Sequence, residues 1–159
     1  MPRPSADERR AQYRECRRQL EALLEGESDL IARMSSALAL LRETLPQASF
    51  LGFYRALPDR WLVAGPYQGP VACLRIRFGQ GVCGTAAMEN RALLVPDVHA
   101  FPGHIACDSQ ARSELVVPVR AAAGEVIAVL DLDSHEPAAF DTCDQEECEE
   151  LMALIAPSA

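Results

Sequence analysis

Apolar positions recur every three to four residues over the first 45 residues of the chain, which is the spacing of amphipathic helices. Ser5 and Glu8 form a capping box that predicts the start of a first helix, and Gly26 is suited to its C-terminal end. A second helix is predicted from near Ser28 until Pro46, because proline cannot continue a helix. The two apolar stripes are Tyr13, Cys16, Leu20, Leu23 and Leu24, then Leu30, Ile31, Met34, Leu38, Leu41 and Leu45.

Beyond residue 48, short runs with strand-like composition are separated by turn residues. The predicted strands are residues 49–56, 61–64, 71–76, 93–95, 113–120 and 125–133. A short helix is predicted over residues 82–90, and a closing helix from Asp141 to about Ile155. Residues 65–70 are predicted to be irregular, and residues 96–112 form a long loop of the kind that is usually functional. The pattern predicts the α+β class, an antiparallel β-sheet covered by helices.

Length and charge exclude several classes of protein. A chain of 159 residues, 49% apolar and 24% charged, fits one globular domain. No apolar run reaches the roughly 20 residues that span a bilayer, and no secretory signal is recognised, so a cytoplasmic protein without membrane contact is expected. The net charge of −8 argues against nucleic acid as a partner.

Six cysteines point towards thiol chemistry. Structural disulfides are rare in the cytosol, and the chain has no C-x-x-C pair of the zinc-ribbon or thioredoxin type. Cys73, Cys83 and Cys107 fall in one stretch rich in glycine, proline and histidine. The other three, Cys16, Cys143 and Cys148, lie on predicted helices and are interpreted as core residues.

The last predicted hairpin brings three carboxyl groups together. Asp131 and Asp133 must point to the same side, because side chains alternate along a strand. A four-residue loop at residues 121–124 places Glu114 opposite Asp131, and a two-residue loop places it opposite Asp133. A three-residue loop would break this alignment. The opposite face would carry Leu115, Val117, Leu130 and Leu132.

Like charges facing one another destabilise a hairpin, so three carboxylates on one face suggest a functional site. If the face is buried, at least one carboxyl should have a raised pKa and keep its proton near neutral pH, which supplies a general acid. A solvated sheet face is the alternative, and a divalent metal site is a third.

Two cysteines have surroundings that suggest a reactive thiol. Cys83 follows Gly79-Gln80-Gly81 at a predicted helix start, where the helix dipole would stabilise a thiolate; a buried, inert thiol is the alternative. Cys107 lies late in the long loop, which could carry a nucleophile over a pocket. His104 could lower the pKa of Cys107 or could cap a turn. No metal site is expected, since no ligand pair has zinc-finger spacing.

The motifs as a set resemble the free methionine-(R)-sulfoxide reductases. The similarity runs from about Tyr13 to Ile155. The motifs that carry it are residues 65–69, 72–76, 79–86, 97–109, 113–114 and 130–134. It implies a single GAF domain over residues 1–159, with N-terminal helices at about 6–45 and a catalytic α+β core at about 48–157.

The resemblance also implies an activity, that of an L-methionine (R)-S-oxide reductase. Such an enzyme reduces the free R-epimer rather than the residue within proteins. A thiolate attacks the sulfoxide sulfur while a carboxyl protonates the oxygen; the resulting sulfenic acid is resolved as a disulfide, which thioredoxin reduces. No cofactor is implied, and a homodimer is expected.

Residue roles follow from the same resemblance. Cys107 would be the nucleophile, Cys73 the resolving thiol and Cys83 an auxiliary or alternative partner, so the disulfide could join Cys107 to either. The expected acid groups are Glu114, Asp131 and Asp133. The expected substrate contacts are the apolar wall Phe50 and Tyr54, where Phe50 replaces the usual tryptophan of the family, and the loop residues Ile105, Ala106 and Asp108.

The main alternative is a GAF module that senses a small molecule or redox state without catalysis. Because no output domain is recognised in the sequence, and because a binding pocket needs no set of thiols and carboxyls, the enzyme is favoured.

Overall fold

A six-stranded antiparallel sheet forms the centre of the computed structural model, which describes residues 2–158. The helices are α1 (Ala6–Leu24), α2 (Leu30–Thr44), α3 (Gly81–Glu89) and α4 (Thr142–Met152). The strands are β1 (Phe50–Ala56), β2 (Trp61–Gln68), β3 (Arg75–Arg77), β4 (Leu93–Val95), β5 (Ser113–Arg120) and β6 (Val126–Ser134). The strand order β3-β2-β1-β6-β5-β4 places the distant strands β1 and β6 side by side, and the α+β prediction is confirmed.

The ends of the first two helices follow local chemistry. The capping box of Ser5 and Glu8 is present, and Gly26 adopts a positive φ of 75° just after α1. The second helix begins at Leu30, close to Ser28 as predicted, and the Asp29 carboxylate is the cap and accepts from the Ala32 backbone N–H at 2.9 Å. No described helix is both long and apolar enough to span a membrane.

The larger core lies between one sheet face and the helices α1, α2 and α4. Leu115, Val117, Leu130 and Leu132 all point into it, as predicted from alternation. The smaller core lies on the other face against α3, and Val116 and Val129 point into it. The faces of β5 and β6 therefore separate a purely apolar side from the side that carries the three carboxyl groups.

The region around the third predicted strand was predicted wrongly. Residues 65–70 were predicted to be irregular, but β2 continues to Gln68. A β-bulge between β1 and β2 accommodates Gly65 and Pro66. A regular ladder would not accommodate Pro66, since proline has no N–H to donate. Strand β3 spans only Arg75–Arg77, so residues 71–74, which were predicted to be strand, form an irregular segment next to the site.

Candidate active site

The three carboxyl groups converge as the hairpin argument predicted. Glu114 pairs with Asp133 across β5 and β6, and Asp131 pairs with Val116, so all three side chains share a face. Glu114 and Asp131 are each only 5% exposed. The alternative of a solvated face is therefore wrong.

The turn that produces this register combines two features. Ala121 donates its N–H to the Glu125 carbonyl at 2.9 Å, so three residues form the loop, and Gly124 supplies a positive φ of 97°. This loop length was predicted to break the alignment. However, Arg120 pairs with Val126 while Val119 pairs with Ala128, so Ile127 is an extra residue. The bulge shifts the register by one and restores the shared face.

Burial sets the protonation of this cluster. Desolvation, followed by repulsion from Asp133, raises the pKa of Glu114 to about 8. The pKa values of Asp131 and Asp133 also rise well above the ordinary range, chiefly through desolvation and then through the neighbouring carboxylates. The prediction that a carboxyl holds a proton near neutral pH is confirmed. Asp131 Oδ1 is buried without a hydrogen-bond partner, which leaves it free for a substrate.

Cys83 belongs to this cluster, but as a thiol rather than a thiolate. It lies in the first turn of α3, and its Sγ is 3.8 Å from Glu114 Oε1. Burial, followed by the charges of Asp131 and Glu114, raises its pKa well above the ordinary value. The expected thiolate is therefore wrong, because desolvation and the nearby carboxylates outweigh the helix dipole.

The other two cysteines of the stretch form a disulfide. Cys73 and Cys107 are bonded, with Cα atoms 5.4 Å apart, whereas Cys83 is a free thiol. The question left open by the sequence is thereby answered in favour of the Cys107–Cys73 pair. Cys107 is exposed and Cys73 is half-buried. Cys16, Cys143 and Cys148 are buried and free, as their interpretation as core residues required.

Strand β1 supplies an apolar wall beside the carboxyls. Phe50 pairs with Asp133 and Tyr54 with Val129, so both side chains lie on the carboxyl-bearing face. Phe50 stacks on Tyr67 with ring centroids 5.5 Å apart. A Cβ at Gly52 would overlap Tyr67, so this glycine allows the two aromatic side chains to pack together.

The long loop closes over the carboxyls and is more ordered than predicted. It contains a 3₁₀ turn at Val98–Ala100, where the Asp97 side chain accepts from the His99 backbone N–H. His104 Nε2 is 3.7 Å from Glu114 Oε2, and burial lowers the pKa of His104, so the imidazole is neutral near neutral pH.

One contact of this loop was not predicted from the sequence. The Asp108 carboxylate lies 2.7 Å from His135 Nε2, which fixes the loop next to Cys107. The backbone N–H of Gln110 and the His135 ring lower the pKa of Asp108. Alternation offers a signal for this contact, since His135 continues the series that begins with Asp131 and Asp133.

A single pocket collects most of the predicted residues. It encloses about 500 Å³, its open mouth included. Nine predicted residues line it: Phe50, Tyr54, Cys83, Ile105, Cys107, Asp108, Glu114, Asp131 and Asp133. Cys73 reaches the pocket only through its bond to Cys107, and Ala106 is exposed and does not line it.

The same cluster has the donor atoms of a metal site. The thiol of Cys83 and the carboxyls of Glu114 and Asp131 each offer a ligand atom, all within 4.8 Å of one another. The pKa values of all three groups are raised, so a cation would have to displace their protons. A cation at these three groups would therefore bind in competition with protons.

Comparison with known proteins places the chain among well-defined relatives. A family model described as a GAF domain matches residues 27–157. The free methionine-R-sulfoxide reductase of Escherichia coli is 42% identical over 143 residues, which cover 90% of this chain and 86% of that protein. A free methionine-R-sulfoxide reductase from Neisseria meningitidis, solved with its substrate, superposes with a TM-score of 0.88 at 40% identity and covers 98% of this chain and 90% of its own.

Proposed function

The chain belongs to the GAF-domain family of free methionine-R-sulfoxide reductases, and from this we propose that its pocket reduces free L-methionine-R-sulfoxide through a cysteine sulfenic acid and an intramolecular disulfide. One observation carries the proposal: the Cys73–Cys107 disulfide lies at a pocket that also contains three buried carboxyl groups of raised pKa. A redox-active thiol and a proton donor are the two groups that sulfoxide reduction needs.

In the proposed reaction, the reduced Cys107 attacks the sulfoxide sulfur. The oxygen accepts one proton, with Glu114 as the donor and Asp131 Oδ1 as a second contact, since this buried atom lacks a partner. The protonated oxygen then passes from the substrate sulfur to Cys107, and the bond between the two sulfurs breaks. Methionine leaves, and Cys107 is a sulfenic acid. The thiol of Cys73 then displaces it as water and forms the disulfide.

The remaining pocket residues suit the substrate's other groups. Phe50 and Tyr54 offer an apolar wall for the methyl and methylene groups. We assign the substrate carboxylate to backbone N–H groups of the loop at Ile105 and Asp108, which line the pocket. Ala106 is left out of this assignment because it does not line the pocket.

Three further features of the family are proposed for this chain: recycling by thioredoxin, a homodimeric assembly and a cytoplasmic location. The exposure of Cys107 supports the first, because a protein reductant must reach the disulfide. Light scattering on the purified protein tests the second, and fractionation of cells tests the third.

The first test is NADPH consumption in the presence of thioredoxin and thioredoxin reductase. Free L-methionine-R-sulfoxide, its S-epimer and a peptide-bound sulfoxide are compared at equal concentration. Oxidation of NADPH with the free R-epimer alone is expected, because the relatives are free methionine-R-sulfoxide reductases. Folded, reduced protein that binds the sulfoxide but consumes no NADPH would instead be a sensor.

A further inference from the structure

Three exposed apolar side chains flank the disulfide. Seven large apolar residues are exposed in the described part of the chain, and three of them lie within two positions of a disulfide cysteine. Val71 is 80% exposed, Leu74 is 74% exposed and Ile105 is 37% exposed. Exposed apolar clusters of this kind mark sites of association. We refer to these three residues as the disulfide collar.

The substrate accounts for only part of this collar. Val71 and Ile105 line the pocket, where their apolar groups can contact a bound substrate. Leu74 neither lines the pocket nor belongs to either core. It lies next to Cys73 and turns its side chain to solvent. Neither the pocket nor either core explains why a leucine occupies this exposed position.

The chain segment that contains Cys73 differs in charge from the whole chain. The net charge is −8, yet residues 60–88 contain no aspartate or glutamate. The same segment contains Arg60, Arg75 and Arg77, and Arg75 is exposed next to Leu74. The Cys73 side of the disulfide is thus flanked by exposed apolar side chains and by Arg75, whereas the Asp108 carboxylate on the Cys107 side is paired with His135. Opposite charge on a partner would favour its approach to this face.

We propose that the disulfide collar and Arg75 form the docking surface for a protein dithiol reductant with an apolar face and an acidic rim around its attacking cysteine. This inference rests on the proposed function and identifies the surface that the reductant contacts when it reduces the disulfide. A small thiol needs only access to sulfur, so it would gain nothing from Leu74 or Arg75. Transient redox encounters bury little surface, which matches a collar of three side chains.

The disulfide is reduced by two successive thiol–disulfide exchanges. A thiolate of the partner attacks one sulfur of the Cys73–Cys107 bond, which breaks and leaves the other sulfur as a thiolate. The partner's second thiol then attacks the mixed disulfide, so the partner becomes a disulfide. Two electrons and two protons pass to Cys73 and Cys107, which return to the dithiol needed for the next sulfoxide.

The test compares Leu74→Glu with a matched control, Leu23→Glu, which replaces an exposed leucine on α1. The second-order rate constant for reduction of the oxidised protein is measured by stopped flow, once with reduced thioredoxin and once with dithiothreitol. We expect Leu74→Glu to lower the rate constant for thioredoxin by about 10-fold. The dithiothreitol rate should stay within about 2-fold, and Leu23→Glu should change neither.

Charge reversal provides a second, independent measurement. Arg75→Glu should lower the thioredoxin rate constant and flatten its decline with salt, whereas Arg75→Lys should retain both. An equal loss with dithiothreitol, or no loss in Leu74→Glu and Arg75→Glu, overturns the docking surface. These outcomes are separable from the proposed function, because dithiothreitol-supported production of methionine tests that function without thioredoxin. Leu74→Ser serves in place of Leu74→Glu if circular dichroism shows the glutamate variant to be misfolded.

Discussion

At the scale of single residues, the proposed chemistry depends on which side chain keeps its proton near neutral pH. Glu114 is an ordinary carboxyl placed in an unusual setting: a buried face that it shares with Asp131 and Asp133. Since water cannot solvate its charge there and its neighbours repel it, the neutral form is favoured near neutral pH. The same burial keeps Cys83 a thiol. Burial therefore favours the protonated form of all three acidic side chains.

The first prediction concerns the pH dependence of the chemical step. Because the pKa of Glu114 is raised to about 8, its proton is present below that pH and is lost above it. The single-turnover rate of the reduced enzyme should therefore fall as the pH rises through about 8. Rapid-quench measurements of methionine formation from methionine sulfoxide at a series of pH values test this decrease in rate. A rate that keeps rising with thiolate formation to pH values well above the pKa of Glu114 would exclude Glu114 as the donor.

The second prediction concerns the removal of that proton. Glu114→Gln keeps the shape of the side chain but cannot give up a proton, so the single-turnover rate should fall by about 100-fold. Glu125→Gln is the matched control, since Glu125 is exposed at the turn of the same hairpin. The control should retain the parent rate. If both variants kept that rate, the acid would have to be sought in Asp131 or Asp133.

The third prediction separates the roles of the cysteines. Cys107→Ser should produce no methionine, since the attacking sulfur is absent. Cys73→Ser should release about one equivalent of methionine per chain and stop at the sulfenic acid, which dimedone labelling and mass spectrometry detect. Cys83→Ser should still turn over repeatedly, because Cys83 is outside the disulfide. Repeated turnover with thioredoxin by Cys73→Ser would point to Cys83 as the resolving thiol instead.

At the scale of elements, the helices are held together by a buried arginine. Arg33 of α2 is 7% exposed. Its guanidinium donates to the carbonyls of Leu24 at the end of α1 and of Leu154 and Ile155 after α4. Carbonyls at helix ends have no partner within their own helix, and one side chain satisfies several of them here. Arg33 thus joins the ends of two helices to a third.

The fourth prediction follows from that arrangement. Arg33→Met keeps the apolar stem but removes the hydrogen bonds to the carbonyls of Leu24, Leu154 and Ile155, so it should lower the free energy of unfolding by about 3 kcal/mol. Arg18→Met is the control, because Arg18 is exposed and bonds only Glu15 within α1; it should cost less than about 1 kcal/mol. Urea unfolding followed by circular dichroism gives both values. Similar values for the two variants would show that Arg33 does not hold the helices together.

At the scale of the whole molecule, the disulfide between Cys73 and Cys107 is a constraint on the chain. The disulfide joins residues 34 positions apart and links the segment before β3 to the long loop after β4. A closed loop of this length reduces the entropy of the unfolded chain by an amount equivalent to about 3 to 4 kcal/mol. The protein with this disulfide should therefore be more stable than its reduced form.

The fifth prediction tests this difference. Reduction with dithiothreitol should lower the free energy of unfolding by up to about 4 kcal/mol, as measured by urea titration of both forms. Cys73→Ser, which cannot form the bond, should unfold identically with and without dithiothreitol. An equal response to dithiothreitol in the variant would assign the effect to another pair of cysteines.

The sequence by itself determined those features that depend on neighbours along the chain. The capping box at Ser5 and the alternation of Asp131 and Asp133 are determined within a few residues, and the family motifs located most residues that line the pocket. Helix periodicity and strand alternation are local properties, which is why these predictions hold. The same local signals failed at Gly65 and Pro66, where a bulge in the paired strand keeps them in β2.

Tertiary structure decided everything that depends on burial or on register between strands. The bulge at Ile127 sets Glu114 opposite Asp133, although the loop length alone argued otherwise. Desolvation raises the pKa of Cys83, although its place in a helix favoured a thiolate. Cys73 pairs with Cys107 because the fold brings their Cα atoms within 5.4 Å. A sequence lists the groups of a site, but their distances and their contact with water, which fix their charge, arise only when the chain is packed.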